Sequence, residues 1–267
     1  MASSAVPRLD PRTAGSPGVH AALSVIEHIV SHGPLGVAEL ARDLELPKST
    51  LHRICAVLVE RGWAVRDERG RFEPGLRALS VGSRASDLPI VTGFRHAVAP
   101  LLERHDETVC LAVLDGADSV FIAIEETTKP VRLMTWVGRR SPAFASASGR
   151  VLLAGRPAGA VDALLGTVPL VTPTGREVAR GELHAILDAV RRAGFAENDE
   201  ETAEGLYSAS VPIVNGAGES IVAITMCVPT SRAGAARRRA LVDDLRAAGR
   251  TLARDAAWLT GPYAKRI

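Results

Sequence analysis

The sequence predicts a two-domain α+β protein, and three observations support this prediction. The chain has 267 residues, more than one compact domain usually contains. Its N-terminal part, up to residue 74, includes three short helical patterns followed by one hairpin pattern. In the rest of the chain, strand and helix patterns do not alternate regularly, which is typical of a sheet with helices on its faces.

Composition and charge are those of an ordinary globular protein. Hydrophobic residues make up 46% of the chain and charged residues 23%. The formal net charge of +2 is too small to indicate a nucleic-acid partner, so such a partner has to be argued from local clusters. No run of about 18 apolar residues occurs, so we expect no membrane-spanning helix.

The cysteines indicate a reducing compartment. Cys55, Cys110 and Cys227 lie far apart, without a CxxC pair, which argues against a zinc ribbon and against a secreted disulfide framework. We therefore expect a cytoplasmic protein. Residues 1–18 mix Pro, Gly, Ser and Ala without a continuous apolar stretch, which predicts a disordered arm and not a signal peptide.

Three helices and a hairpin are predicted for the first domain, residues 19–80. The first helix ends at Gly33, and the second follows Gly36 as N-cap with Glu39 three residues on. Pro47 suits the first position of the third helix, which ends at Gly62. A short hairpin follows over 63–74, with turn residues at 67–70. This order of elements predicts a winged helix-turn-helix.

The third helix carries a polar face suited to DNA. If its apolar residues are buried, Lys48, Ser49, His52 and Arg53 turn outward near the helix N-terminus, where a recognition helix meets base edges. Arg53 can bind guanine with two hydrogen bonds, whereas Ser49, Thr50 and the first helical amides suit phosphate oxygens.

The predicted wing adds positive charge. Arg66, Arg69 and Arg71 follow one another closely, and each can neutralise a phosphate. Between Lys48 and Arg71 the sequence has six cations and three anions, namely Lys48, Arg53, Arg61, Arg66, Arg69 and Arg71 against Glu60, Asp67 and Glu68. The alternative is a stable helical mini-domain whose polar face binds nothing.

The second region, residues 81–267, is predicted to hold a linker helix and a larger domain. A helical pattern from Leu76 to about His105 is broken near 82–83 and 87–89. Alternating residues predict strands over 108–114, 119–124, 131–137, 207–214 and 220–228. Helices are predicted over 148–154, 157–165, 181–193 and 235–258.

Small residues before the predicted helix at 148–154 suggest an anion site. The free amides and hydroxyls of Ala145 to Gly149 could hold a carboxylate at the helix N-terminus. The alternative is a helix cap with small residues for close packing. An acidic group farther along, made of Asp199, Glu200, Glu201 and Glu204, is expected to be solvated.

Three segments together resemble the isocitrate lyase regulator (IclR) family of bacterial transcription factors: ELARDLELPKSTLHR at 39–53, GRRSPAFASASGRVLLA at 138–154 and DEETAEGLYSASVPI at 199–213. The resemblance implies a winged helix-turn-helix, a linker helix used in dimerisation and a C-terminal effector-binding domain similar to GAF and PAS sensors. It also implies dimers or dimers of dimers on palindromic double-stranded operators, with a small organic acid as effector.

By this resemblance the effector site lies on several elements. Its residues are Leu133 on a strand, Phe144, Ala147, Ser148 and Gly149 at the helix start, Asn198, Asp199, Leu206 and Ser208 in the segment that follows, and Thr225 and Cys227 on the last strand. Thr225 and Cys227 are two residues apart and so face the same side of a strand. The alternative for Cys227 is a buried apolar role.

Some positions depart from the family pattern. Many relatives have Cys at Ser208, His at Phe144, Lys at Arg150 and Asp at Asn198. Phe144 adds apolar surface, which favours an aromatic or hydrophobic acid over a compact one such as glyoxylate.

Two other classes of protein compete with an effector-controlled regulator. An enzyme is disfavoured because the sequence has no G-x-S-x-G elbow, P-loop, G-x-G-x-x-G or zinc-protease motif, and no cofactor is expected. A DNA-binding protein without a ligand is disfavoured because the second domain is large.

Overall fold

The computed structural model describes residues 16–85, 88–215 and 218–254. The chain divides into two compact units, Met1–Asp87 and Leu88–Ile267. Residues 1–15 of the predicted N-terminal arm lie outside the described residues, and its last two residues, Pro17 and Gly18, belong to the first helix. Within the described residues, no helix is long and apolar enough to cross a membrane.

The first unit is a helical domain with a small hairpin. Its elements are α1 Pro17–His32, α2 Val37–Asp43, α3 Lys48–Glu60, β1 Ala64–Arg66, β2 Phe72–Pro74 and α4 Leu76–Ala85. Helix α2 begins as the sequence predicts, because the Gly36 amide donates to the Glu39 carboxylate at 2.8 Å. One face of each of α1, α2 and α3 builds the core, together with Phe72 from the hairpin.

Close backbone packing joins the hairpin to α4. The Gly75 amide donates to the Trp63 carbonyl at 2.8 Å, and the Arg77 amide donates to the Gly62 carbonyl at 3.1 Å. A Cβ at Gly75 would lie 2.3 Å from the Gly62 oxygen, so only glycine fits there. The predicted break near Gly82 is wrong, since α4 continues to Ala85. This helix, assigned in part to the second region from sequence, lies in the first unit.

The second unit is built on one six-stranded antiparallel sheet with the strand order β5-β4-β3-β10-β9-β8. Its strands are β3 Thr108–Asp115, β4 Asp118–Glu125, β5 Arg140–Pro142, β8 Ala196–Asp199, β9 Leu206–Val214 and β10 Ser220–Pro229. A separate small hairpin pairs β6 Leu170–Val171 with β7 Glu177–Val178. The helices are α5 Pro89–His105, α6 Ala147–Ala154, α7 Ala158–Leu165, α8 Arg180–Ala193 and α9 Ala235–Arg254.

Each face of the sheet is covered by its own set of helices. On one face, apolar residues such as Ile224 and Met226 of β10 pack with α5 and α9. On the other face, Cys110, Ala112 and Ala223 pack with α6 and α8. Successive strand residues point to opposite faces, so each strand contributes to both layers.

Several elements differ from the sequence prediction. The predicted strand at 131–137 is wrong: this segment is irregular, and Val131, Met134 and Trp136 are exposed by 64%, 74% and 55%. The Gly138 amide donates instead to the Phe121 carbonyl, and the edge of the sheet is formed by β5. Strands β5 to β8 were not predicted, because they are short and lack an apolar alternation. The end of the predicted C-terminal helix, beyond residue 254, lies outside the described residues.

A buried carboxylate ties together three parts of the second unit. Glu107 is 1% exposed and accepts from Arg232 at 2.6 and 2.9 Å, from Arg237 at 2.8 Å and from Lys129 at 3.1 Å. Burial opposes ionisation, but the Arg232 and Lys129 contacts outweigh it and hold the pKa of Glu107 below its usual range. The charged form of Glu107 therefore stabilises the fold.

Replacing this carboxylate should lower stability in a pH-dependent way. For Glu107→Gln we expect about 3 kcal/mol less free energy of unfolding at pH 7, because partly buried cations lose their partner. A lowered folded-state pKa gives stability that is present above the unfolded pKa of about 4.3 and is lost as the pH falls through the folded value. Denaturant unfolding from pH 7 down to pH 3 should show the two proteins converging.

Glu126→Gln is the matched control, because Glu126 is exposed and pairs with Arg132 only at 3.4 Å. This control should unfold like the unaltered chain at every pH. Equal stability of Glu107→Gln and Glu126→Gln at pH 7 would contradict the role given to Glu107.

Candidate nucleic-acid interface and ligand site

Helix α3 presents the polar face that its sequence predicts. Leu51, Cys55 and Leu58 are buried in the core of the first unit. Lys48, Ser49, His52 and Arg53 are exposed, and Thr50 is half-buried. The apolar stripe and the polar face thus lie on opposite sides of one helix, as its periodicity requires.

The N-terminus of α3 is open to an anion. Pro47 is the N-cap and not the first helical residue, so the helix begins one residue later than predicted, and Pro47 supplies no side-chain hydrogen bond. The first helical backbone bond runs from the Leu51 amide to the Pro47 carbonyl at 3.1 Å. The amides of residues 48–50 therefore have no acceptor within the helix, and they carry the positive end of the helix dipole.

The wing arginines are not equivalent. Arg71 is half-buried and pairs with Asp67 at 3.0 Å, and Arg66 donates to the Gly70 carbonyl at 3.2 Å while lying over the Phe72 ring. Arg69 is exposed at the tip of the turn. Arg66 and Arg71 thus shape the wing, which sequence reasoning about charge alone did not show.

Asp67 organises this turn through its carboxylate. It accepts from the Arg71 amide at 2.7 Å and from the Arg69 amide at 2.9 Å. These hydrogen bonds lower the pKa of Asp67, and the one from the Arg71 amide contributes most. Gly70 has φ of +78°, a conformation that favours glycine, and it closes the turn.

Strand register in the second unit lines up two rows of small polar side chains. In the first polar row, Asn198, Ser208, Cys227 and Thr108 lie opposite one another across β8, β9, β10 and β3. In the second polar row, Ser210, Thr225 and Cys110 do the same across β9, β10 and β3. All seven residues are buried.

These rows share the sheet face that α6 covers. Cys110 packs in the same core as α6, and residues two positions apart on a strand point to one face. Ser210 and Thr225 bond to each other at 2.8 Å. Burial raises the pKa of the Cys110 thiol, and its contact with Cys227 adds to the effect. The rows therefore form a neutral, weakly polar surface beneath α6.

The start of α6 is partly capped by the protein itself. The Ser146 hydroxyl accepts from the Gly149 amide at 3.1 Å, and the Ser148 hydroxyl bonds to Ser119 at 2.7 Å. The amides of Ala147 and Ser148 have no hydrogen-bond acceptor among the described residues. Both interpretations made from sequence thus find support here, a cap at Ser146 and two amides that could bind an anion.

Arg150 and Glu201 form a partly buried ion pair beside Asn198. The Arg150 guanidinium is 2.5 Å from the Glu201 carboxylate, and its other nitrogens donate to the Phe144 and Glu197 carbonyls. Burial lowers the pKa of Arg150 although Glu201 opposes this. The expectation that Glu201 is solvated is wrong, because Asn198 and Arg176 also donate to it, at 3.1 and 2.6 Å.

Two predicted effector residues are placed elsewhere by the structure. Asp199 faces the opposite side of β8 from Asn198 and binds Arg238 with both oxygens, at 2.6 and 3.1 Å. Leu133 lies in the irregular segment between β4 and β5 and not on a strand.

The other predicted residues lie near the polar rows: Leu206 shares the face of Ser208, and Phe144 is buried in the core under α6. Thr108 and Cys110 were missed, although both alternate with apolar residues on β3.

No group of three or more His, Cys, Asp or Glu side chains that could hold a metal ion occurs in the described parts of the chain. The residues beneath and beside α6 offer hydroxyls, thiols, amides and the Arg150–Glu201 ion pair. Such a set suits binding of an organic molecule by hydrogen bonds.

Gly149 has a packing role that can be tested. A Cβ there would lie 2.2 Å from both the Cα and the carbonyl oxygen of Ala143. We expect Gly149→Ala to lower the free energy of unfolding of the second unit by about 2 kcal/mol, measured by denaturant unfolding. The control is Gly159→Ala in α7, where a Cβ meets nothing within 4 Å and helix propensity favours alanine. If both variants gain stability, the close approach at Gly149 does not exist.

Comparison with known proteins agrees with this arrangement. A family model described as the IclR helix-turn-helix domain matches residues 20–68, and one described as the bacterial transcriptional regulator IclR C-terminal domain matches residues 82–254. A probable transcriptional regulator, SauR, from Cupriavidus necator is 32% identical over 81% of this chain and 87% of its own length. The transcriptional repressor IclR of Escherichia coli is 31% identical over 79% of each chain.

Among solved structures, an IclR homologue from Microbacterium hydrocarbonoxydans, complexed with 4-hydroxybenzoate, has the same fold. It matches with a TM-score of 0.70 and 23% identity, covering 88% of this chain and 98% of that one. The matches span both units and confirm the resemblance seen in the sequence. The chain belongs to the IclR family of bacterial transcriptional regulators.

Proposed function

We propose that this regulator binds a palindromic double-stranded operator as a dimer or a dimer of dimers, and that a small organic acid bound in the second unit changes its affinity for DNA. The observation that supports the DNA half most directly is the exposed polar face of α3 beside three free helical amides. Family membership supports the same conclusion. Because the operator is bacterial chromosomal DNA, the regulator acts in the cytoplasm.

The proposed contacts with DNA fall into two groups, those that position the protein on the duplex and those that recognise bases. The amides and hydroxyls of Ser49 and Thr50 suit phosphate oxygens, which fix the helix in the major groove. Arg53 and His52 lie about one turn farther along the same exposed face and reach base edges. In the wing, Arg69 binds phosphate, and Asp67 holds the loop in shape through the Arg71 ion pair.

Arg53→Ala tests the base-reading face. We expect it to weaken binding to duplexes that the unaltered protein selects from a random library by about 10- to 100-fold, while binding to non-specific DNA changes little. Fluorescence anisotropy at fixed salt concentration measures both. The control Arg239→Ala removes the same charge from an exposed position on α9 and should bind selected DNA normally. If Arg53→Ala binds the selected duplexes as tightly as the unaltered protein does, Arg53 is not part of the recognition surface.

The effector half of the proposal rests on the surface beneath α6. The amides of Ala147 and Ser148 are buried, so a carboxylate placed there would be held in a low-dielectric environment by the helix N-terminus. Ser208, Thr225 and Cys227 supply weakly polar contacts from the sheet. Phe144 adds an aromatic wall, which favours an aromatic acid, and the related protein from Microbacterium hydrocarbonoxydans binds 4-hydroxybenzoate.

A thermal-shift series tests this preference. Ligands that bind the native state raise its stability by mass action, by about 2.7 kcal/mol at a hundredfold excess over Kd. We expect 4-hydroxybenzoate or benzoate to raise the melting temperature of the full chain by a few degrees, and glyoxylate and pyruvate to raise it less. A shift with the two compact acids alone would overturn the aromatic preference, and no shift with any of the four would count against an organic-acid effector.

Binding at the two units is coupled in this proposal. The effector shifts the balance between two arrangements of a dimer, and such coupling is typically worth about 1–3 kcal/mol, enough to change operator occupancy. A regulator that ignores small molecules is the second candidate. The neutral polar rows favour the coupled version, because a domain that only tethered DNA-binding units would have no reason to bury seven polar side chains on one face.

A further inference from the structure

Thr108 has a hydroxyl that nothing in the described protein satisfies. The residue is 1% exposed, and its Oγ1 is buried without a hydrogen-bond partner among the described residues. Buried polar groups are almost always hydrogen-bonded, because leaving one unpaired carries the full cost of removing it from water. This position at the start of β3 therefore carries a cost to the fold that Val, of the same shape, would avoid.

The strand register connects this hydroxyl to the proposed effector site. Thr108 lies directly opposite Cys227, which in turn lies opposite Ser208. Side chains directly opposite one another on neighbouring antiparallel strands have Cβ atoms about 5 Å apart. A ligand that touches Cys227 is thus within reach of Thr108. The first polar row, read across the sheet, ends on this unpaired hydroxyl.

Several other buried hydroxyls in the second unit are paired within the protein. Ser210 bonds to Thr225, Ser148 bonds to Ser119, and Thr127 donates to Asp106 at 2.9 Å. Thr108 differs from these residues because its hydroxyl has no hydrogen-bond partner among the described residues. The Thr135 hydroxyl is also buried without a partner, but Thr135 lies in the irregular segment 131–137 and not in a polar row.

We propose that Thr108 contacts the effector and selects acids that carry a second oxygen group, a hydroxyl or carbonyl, in addition to the carboxylate. The effector site then extends from β10 onto β3. This inference rests on the proposed function, because it takes Cys227 and Ser208 as effector contacts. The carboxylate is bound at the start of α6, and the second oxygen pairs with the Thr108 hydroxyl.

Pairs of acids that differ by one oxygen provide the test. The probes are 4-hydroxybenzoate with benzoate and lactate with propionate, titrated by calorimetry into the full chain. For the pair that binds, the unaltered protein should prefer the hydroxy acid, and Thr108→Val should lose about ten-fold in affinity for it and bind the deoxy acid as before. Thr108→Ser, which keeps the hydroxyl, should retain the preference.

Thermal unfolding without added acid separates this role from a structural one. Thr108→Val should melt no lower than the unaltered chain, because it removes an unpaired buried hydroxyl. The control Thr127→Val removes a paired hydroxyl, so it should melt lower and leave acid binding unchanged. Both valine variants lose one hydroxyl at a buried position, so a difference in their effects reports on the partner and not on the substitution.

Two results would overturn the inference. If Thr108→Val melts lower and keeps the preference for the hydroxy acid, the hydroxyl has a structural partner and the inference alone fails. If the unaltered protein binds none of the four acids, the proposed organic-acid effector fails and this inference fails with it. Discrimination lost in Thr108→Val and kept in Thr108→Ser supports it.

Discussion

The alternation of side chains along β10 is the constraint on which the second unit depends. This strand lies between β3 and β9, and its residues point in turn to α5 and α9 or to α6. Ile224 and Met226 supply the apolar layer, whereas Thr225 and Cys227 supply the polar rows. A slip of one residue would turn the hydroxyl and thiol into the apolar core, so burial on the α5 and α9 side fixes the register of the polar side.

The same rule explains which site residues the sequence could reveal. Spacing of two placed Thr225 and Cys227 together, and helical spacing placed Lys48 and Arg53 on one exposed face of α3. Asp199 was misplaced because family motifs are continuous in sequence, whereas neighbouring residues of a strand face opposite sides. The Arg150–Glu201 pair was missed because its members lie on different elements, and a pattern in one segment cannot show such a contact. Residues 131–137 have strand-like composition, but the strand that pairs with β4 at this edge of the sheet is β5.

Charge is handled differently on the two sides of the sheet. On the α5 and α9 side, three cations surround the buried Glu107. On the α6 side, Arg150 is matched by Glu201, and the polar rows are neutral. An anionic ligand at the site proposed beneath α6 would therefore meet no uncompensated cation among the described residues that line it. Its charge has to be met by amide dipoles, whose strength depends on exclusion of water and not on a counter-ion.

The N-termini of α3 and α6 both present free backbone amides, but in two different environments. At α3 the free amides lie at the surface, where water satisfies them at little cost, and in the proposed function a phosphate replaces that water. At α6 the amides of Ala147 and Ser148 are buried, and water reaches them poorly. An unpaired buried donor destabilises the fold, so a ligand that accepts from these amides removes that cost. In the proposed function, effector binding and stability of the second unit are therefore linked, because the amides proposed to bind the effector are the amides that the fold leaves unsatisfied.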